Sequence, residues 1–404
     1  MPTPSYRLVW TLLVFAWIAN YVVRMAMPAL LPAAIGELGL SYAQAGLLGL
    51  SVFFYTYAAT QFPAGVLGDR FGRRRLVVWG LLVSALGAVA TGFAGAFAAL
   101  LAARLLTGAG QGCLFSNDRA IIAAVTPRER LALGQAISFT GPGLGITAGL
   151  LLAGYLAEVM PWRRVFLVLA ALPLAAAILV TRFVPEPPRT PQAADLLTRL
   201  RAVLVQRDLW LLGLSALTGM WGQFVLATWA PMLFVEIGFR ETGRAALYAS
   251  LQGLAGVGGL LAGGWIGDRA GRRPGGHRTV LACGLGLLAL TTSAMAAVLA
   301  SSRSPALLAA AVVAVGFSSW AIWGPSYALL ASVFRGDDLS TAYGFYNTLG
   351  VLGAIFGPWV TGFTRDLTGS FAAGWVVSSA VAAAGALTVL AIRPPAAAEV
   401  TRSA

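Results

Sequence analysis

Residues 65–75 read GVLGDRFGRRR and residues 263–273 read GGWIGDRAGRR, two copies of Gly-x-x-x-Asp-Arg-x-Gly-Arg-Arg about half the chain length apart. The spacing has a physical logic. Small glycines let two helix ends come close, while Asp69 and Asp268 accept from a helix N-terminus or from neighbouring arginines. Each copy lies between two long apolar runs, so each marks a short loop joining two membrane helices. Its recurrence divides the 404-residue chain into two like halves in parallel arrangement.

The surrounding composition is that of a bilayer protein. Hydrophobic residues make up 58% of the chain and charged ones 11%, with a mean hydropathy of +0.79, outside the range of soluble domains. A hydrocarbon core about 30 Å thick needs about 20 apolar residues of helix to cross it. Such runs are predicted at 8–35, 43–67, 76–95, 97–124, 131–158, 162–183, 208–238, 245–267, 277–300, 304–333, 339–363 and 371–393. The expected fold is an all-α membrane protein of twelve transmembrane helices in two six-helix bundles, over 1–183 and 208–404. The cytoplasmic linker between them, 184–207, opens Pro-rich and turns amphipathic from about Ala193 to Val205, which reads as a short surface helix. The N-terminus runs directly into the first span, and no cleavable signal peptide is read there.

The net charge of +13 comes from 28 basic residues, every one an arginine. With the N-terminus inside, nineteen fall in cytoplasmic segments and six on the opposite side, which orients both termini inward. Much of the positive charge is therefore topological, and with no soluble module to carry it a nucleic-acid partner is excluded. Cys113 and Cys283 lie in apolar segments and form neither a disulfide framework nor a metal cluster, so no metal and no cofactor is expected. No Ser/His/Asp set or paired acids occur at catalytic spacing, and His277 reads as a solvated loop residue; an enzyme is not expected.

The repeated motif resembles that of the major facilitator superfamily, and the resemblance covers essentially the whole chain. The match runs through Gly65, Asp69, Arg70, Gly72, Arg73 and Arg74, with a degenerate second copy at Gly264, Asp268, Arg269, Gly271, Arg272 and Arg273. The resemblance implies two bundles rocking about a central site lined by helices 1, 4, 7 and 10, with Gly65, Asp69, Arg70, Gly72, Arg73, Asp268, Arg269 and Arg272 gating the motion. Finer features are similar to the anion:cation symporter branch, which mostly moves organic anions. They are N-Y-x-x-R at Asn20, Tyr21 and Arg24; R-x-L-x-G-x-G with N-x-R at Arg104, Gly108, Gly110, Asn117 and Arg119; and WGPSYALLAS, YGFYNTLGVLGAIFGPWVTG and DLTGSF late in the chain. The chain departs from the branch at Val23 and Gln111, where proton-coupled relatives often carry Asp and Glu.

Four charges lie deep in the predicted spans: Arg24, Arg104, Asp118 and Arg119. Each costs roughly 2.5–3.5 kcal/mol at a helix centre, so each needs a reason to be there. Neighbours on a helix point about 100° apart, which predicts that Asp118 and Arg119 do not neutralise each other and that each looks elsewhere. In the resembled fold Arg24 and Arg119 would face one cavity, two guanidinium forks suited to a carboxylate or phosphate. Asp118 reads either as a proton-coupling site or as a permanently ionised partner of an arginine. Asn20, Tyr21, Tyr55, Asn117, Gln223, Trp320, Trp323, Tyr327, Tyr346 and Asn347 would complete the substrate site. The C-terminal half, with no deep charge, would hold only the uncharged remainder of the substrate.

The leading expectation is therefore a monomeric inner-membrane transporter of small organic anions such as carboxylates or sugar acids, working by proton symport or exchange. A second is a drug or metabolite efflux antiporter. It is suggested by GPGLGITAG at Gly141, Pro142, Gly145 and Gly149, which partly resembles a Gly-Pro motif of such proteins, although Ile137 replaces an expected glycine. A third is a non-transporting membrane sensor, disfavoured because no further soluble domain is seen.

Overall fold

The computed structural model of the chain describes residues 5–127, 130–187, 204–334 and 337–392. No strand occurs among the described residues. The long helices are α1 (Tyr6–Leu38), α2 (42–71), α3 (Arg73–Phe93), α4 (Phe97–Val125), α5 (Leu131–Val159), α6 (Trp162–Phe183), α7 (Arg207–Glu236), α8 (Thr242–Ala270), α9 (Gly276–Ser301), α10 (Pro305–Val333), α11 (Asp337–Thr368) and α12 (Phe371–Leu390). They match the predicted spans to within a few residues at each end. Most of the linker, 188–203, lies outside the described residues, and with it nearly all of the predicted surface helix.

Ten of these helices are long and apolar enough to cross a membrane; α2 and α11 are not among them. The reason is compositional. Both carry polar and aromatic side chains in their middles, with Tyr55, Thr56, Tyr57, Thr60 and Gln61 on α2 and Tyr343, Tyr346, Asn347 and Thr348 on α11.

Local chemistry sets the breaks. The Ser5 hydroxyl caps α1, and Gly39 ends it in the left-handed region at φ +60°. Ser41 and Gln44 form a reciprocal capping box that starts α2 at once. α4 and α10, which occupy like places in the two halves, each tighten once near their middles, at Cys113 and at Ile322. In α10 the cause is Pro325 a few residues on, which has no N–H for the ladder.

Helices approach through glycines. A Cβ on Gly108 would sit 2.1 Å from the Phe53 carbonyl oxygen of α2, and one on Gly110 would sit 2.5 Å from the Ser84 nitrogen of α3. Gly141, Gly145 and Gly149 of α5 press in turn on Trp17, Tyr21 and Met25 of α1. The GPGLGITAG stretch is thus a packing seam between α1 and α5, a use of small residues that membrane helices favour because lipid gives no hydrophobic drive to associate.

The chain divides into two compact units. One contains the described residues of the first 192 together with Ala227–Gly253; the other contains those of 193–226 and 254–404. The division expected from sequence put 227–253 with the C-terminal half. Within the first unit, however, this segment is held by close contacts: a Cβ on Gly49 would meet the Thr228 methyl at 2.5 Å, one on Gly253 would meet Thr147 Oγ1 at 2.4 Å, and Glu158 accepts from the Gly243 N–H at 2.9 Å.

Candidate functional site

Arg24 lies in the interior of α1, only 1% exposed, and no carboxylate pairs with it among the described residues. Helical spacing turns Tyr21, one turn earlier, onto the same face as Arg24. On α2, the positions i, i+1 and i+4 turn Phe53, Phe54 and Tyr57 inward together. The guanidinium carbon lies 4.0 Å from the Tyr21 ring centroid, 4.6 Å from Phe53, 5.1 Å from Tyr57 and 5.4 Å from Phe54. Such ring faces stabilise a desolvated cation by about 2 kcal/mol or more, but they leave its N–H groups unmet. Arg24 Nε donates to Gln111 Oε1 at 3.0 Å, whereas Nη2 has no acceptor among the described residues; nor does Asn20 Oδ1, on the same helix, have a donor. Gln111 is itself fixed, its amide nitrogen donating to the Asn20 carbonyl at 2.9 Å and to Ser84 Oγ at 3.1 Å.

Arg104 shares this region but has a different role. Its Nε donates to the Leu48 carbonyl at 3.1 Å and its Nη2 to those of Gly49 at 2.8 Å and Arg24 at 3.4 Å. Leu48 and Gly49 belong to a π-helical turn, Leu47–Ser51, whose wider winding sets carbonyls out of the normal ladder. Arg104 therefore staples an irregular turn of α2 to α4 and α1, and one of its nitrogens, Nη1, has no acceptor among the described residues.

The expectation that Asp118 and Arg119 look away from each other is corrected. Arg119 Nη2 donates to Asp118 Oδ2 at 2.6 Å, because the long arginine side chain folds back over the angle that separates the two Cα–Cβ vectors. The same carboxylate oxygen accepts from Trp17 Nε1 at 3.0 Å and Ser138 Oγ at 2.9 Å. Arg119 Nη1 donates to the carbonyl and the side-chain oxygen of Gln135, both at 2.9 Å. Asp118 is fully buried. The pair ties α4 to α1 and α5, and Arg119 spends its fork on Asp118, Ser138 and Gln135.

Three further residues of the expected site have these surroundings. Tyr55 is 63% exposed, because it stands two residues, or about 200° of helix, from both Phe53 and Tyr57, which face Arg24. The Asn117 amide donates to the Ala64 and Cys113 carbonyls at 3.1 and 2.9 Å and abuts Gly68, so it joins α4 to α2. Trp320 packs its ring on Gly256 of α8.

In the second unit the residues expected from α7, α10 and α11 do come together. Trp323 Nε1 donates to Gln223 Oε1 at 3.2 Å, and Tyr327 donates to Asn347 Oδ1 at 3.4 Å. Trp323 stacks on Tyr327 at 6.0 Å, and Tyr346 sits edge-on to both at 6.5 and 5.7 Å. The cluster holds amides, a phenol-rich wall and no charge.

The two copies of the glycine-aspartate-arginine motif are held differently. In the first, Asp69 pairs with Arg73, Gly72 takes φ +110°, and Arg70 lies over the Phe71 ring. Glu186, just beyond α6, accepts from the Arg74 backbone N–H at 3.0 Å and so caps α3 from outside its own chain segment. Arg74 Nη1 returns a bond to the Val184 carbonyl at 3.2 Å. Glu186 was not expected; its signal is a lone acid between prolines in VPEPP. In the second copy Asp268, Arg269 and Arg272 are exposed, and Arg269 stacks over Trp265 at 3.5 Å. Gly65 lies along Ser116 of α4.

Comparison with known proteins agrees with this architecture. The chain is 29% identical over 400 residues to the probable sulfoacetate transporter SauU of Cupriavidus necator, covering 93% of this chain and 90% of that protein. It is 26% identical to the hexuronate transporter of Bacillus subtilis, over 94% and 92% of the two chains. It is also 32% identical over 307 residues to the 3-(3-hydroxy-phenyl)propionate transporter of Escherichia coli, covering 74% and 72%. Among solved structures, a bacterial homolog of the human lysosomal transporter Spinster, inward-facing and occupied, superposes with a TM-score of 0.76 over 95% of this chain and 94% of that one, at 18% identity, a likeness of fold. A family model described as Major Facilitator Superfamily matches residues 12–275 and 275–404, and the chain belongs to that superfamily of multi-pass membrane transporters.

Proposed function

We propose that the chain is a secondary transporter of small organic anions, carboxylates or sugar acids, and that Arg24 holds the anionic group. One observation carries the reading: Arg24 is buried with four aromatic rings and one neutral amide around it and no acid paired to it among the described residues, whereas Arg104 spends its nitrogens on three backbone carbonyls, so Arg24 is the guanidinium left to take a negative charge from outside the protein. The relatives named above, transporters of sulfoacetate, hexuronate and an arylpropionate, move compounds of this class. Tyr21, Gln111 and Tyr57 orient the guanidinium, and Asn20 adds an acceptor for a hydroxyl or a protonated group of the substrate. The aromatic and amide cluster of the second unit offers uncharged contacts only. Orientation follows the arginine distribution, with both termini in the cytoplasm and the protein a monomer in the inner membrane. Transport proceeds by alternating access, and either proton symport or exchange supplies the drive.

The test is thermal stabilisation of the purified protein by a panel of organic anions. Stabilisation by at least one anion in the wild type, and loss of that stabilisation in Arg24→Gln with the fold retained, is expected. Retained stabilisation in the variant sinks Arg24 as the anchor. Stabilisation by lipophilic cations and by no anion favours the efflux reading.

A further inference from the structure

We infer that the groove between α3 and α6 is a binding site for one anionic phospholipid, whatever cargo the protein carries, with the lipid phosphate at Arg182 and Arg75 and an acyl chain along the groove. α3 and α6 pack side by side and leave a cavity of about 520 Å³, lined by Val78 and Leu82 of α3 and by Ala177, Ile178, Thr181 and Arg182 of α6. Leu82 and Ile178 are 44% and 69% exposed, so the cavity opens on the outer surface, where a membrane protein meets lipid. Thr181 spends its hydroxyl hydrogen on the Ala177 carbonyl at 2.7 Å, which leaves Arg182, in the last turn of α6, as the lining side chain with N–H groups to offer. Arg75 precedes Val78 and Trp79 by three and four positions, and so stands on the same face of α3. Trp79 is also exposed, an amphipathic ring one turn inside the helix end, as at a membrane interface.

The acids at this end of the two helices are already engaged. Asp69 pairs with Arg73, and Glu186 accepts from the Arg74 N–H and lies 3.8 Å from Arg74 Nε. Arg75 and Arg182 are exposed and form no ion pair among the described residues. Two exposed arginines are ordinary by themselves at a membrane surface. What makes a site here is the apolar cavity that begins beside them.

An anion without a tail gains nothing from Val78, Leu82 and Ile178, and a neutral tail gains nothing from the arginines. The ligand that uses both has an apolar chain and an anionic head, and the anionic phospholipid of the surrounding bilayer is that molecule. Lipid tails are as apolar as the groove, so the chain contributes fit rather than drive. Selection among lipids then falls to the headgroup, whose phosphate suits a guanidinium fork, with each arginine contributing about fivefold in affinity. Two residues beyond Arg182, the Val184 carbonyl accepts from Arg74 Nη1 at 3.2 Å, so the lipid lies across helix ends that the protein already fastens and splints them further.

The experiment is native mass spectrometry of the full chain released from dodecyl maltoside micelles, with phosphatidylglycerol or phosphatidylcholine of the same acyl chains added in graded amounts. Expected is one phosphatidylglycerol retained per chain, with an affinity about twentyfold above that of phosphatidylcholine, as two arginines at about fivefold each require. Arg182→Gln and Arg75→Gln should each lower that affinity about fivefold, whereas Arg7→Gln, at an exposed arginine in the first turn of α1, should leave it unchanged. Val78→Phe fills the groove and should abolish retention with every charge in place. Equal affinity for the two lipids overturns the inference. So does an equal fall in Arg7→Gln and Arg182→Gln, which makes the attraction a diffuse one, and so does wild-type retention in Val78→Phe, which puts the lipid elsewhere. The comparison of the two lipids needs only the wild type, so it decides the matter even if a variant does not fold.

Discussion

Arg24 and Arg119 are guanidiniums in the interior of the same unit, on α1 and α4, and the protein treats them in opposite ways. Arg119 is given an acid, a hydroxyl and an amide, and it ties α4 to α5. Arg24 is given four aromatic rings, one neutral amide and, among the described residues, no acid. A deep charge is therefore not by itself the mark of a binding site in a membrane protein; what it is paired with has to be read as well. The family resemblance treated the two arginines as equivalent halves of one anion clamp, and the geometry gives them unlike surroundings: an acid, a hydroxyl and an amide for Arg119, rings and a single amide for Arg24.

The largest expected effect breaks this comparison most directly. Replacing Arg119 by Met keeps the volume but leaves Asp118 buried and unpaired, so the protein should lose about 3–5 kcal/mol of stability. The measurement is equilibrium unfolding in detergent micelles. Asp118→Asn combined with Arg119→Met should recover a good part of that loss, because the orphaned charge goes too. The same replacement at Arg24 removes a cation with no counter-charge, and it should lower stability by less than about 1 kcal/mol. Equal losses at the two positions would make Arg24 another fastener and remove the reason to see a site around it.

A subtler substitution sharpens what Arg24 provides. Arg24→Lys keeps the charge but loses the planar fork, the Nε bond to Gln111 and much of the stacking on Tyr21. Anion affinity, read by titration calorimetry with the anion that stabilises the wild type, should fall about tenfold to a hundredfold, as for one lost hydrogen bond to a charged group. An unchanged affinity would mean that only the charge matters and that Gln111 aims nothing.

How much of this could be read from the chain alone follows from the physics of each feature. The span count and the two halves were legible because apolar runs of bilayer length and a repeated loop motif are one-dimensional signals. Arg24 and Arg104 were legible as anomalies for the same reason: a charge in an apolar run stands out. Their roles were not, because a partner is a fact of three dimensions. The fold-back of Arg119 onto Asp118 depends on side-chain length and on Ser138 and Gln135 arriving from α5, which nothing in CLFSNDRAIIAA announces. The nearness of Tyr57, rather than Tyr55, to Arg24 was illegible for a different reason. Phe53, Phe54 and Tyr57 form an i, i+1, i+4 aromatic face within SVFFYTY, and that periodicity was available; what was missing was the knowledge that Arg24 lies opposite it. Glu186 shows the same limit at longer range, since a cap delivered to α3 from beyond α6 has no local signature.

The smallest effects concern the two motif copies, which are alike in sequence and unlike in engagement. Glu186→Gln keeps an acceptor for the Arg74 N–H but removes the negative charge at the N-terminus of α3, where it meets the helix dipole and the Arg74 side chain. Partial exposure of both side chains limits the loss to about 1 kcal/mol or less by unfolding. Asp268→Asn, at an exposed aspartate with no hydrogen bond or ion pair among the described residues, should change stability by less than about 0.5 kcal/mol. If Asp268→Asn nonetheless slows transport of a probe while Glu186→Gln does not, the second copy is engaged in another state of the transport cycle, and the contrast between the copies is one of timing. If both variants leave transport and stability unchanged, the repeated aspartate and its arginines serve only to orient the loops by charge, and gating must be sought in the close contacts of the Ala227–Gly253 segment instead.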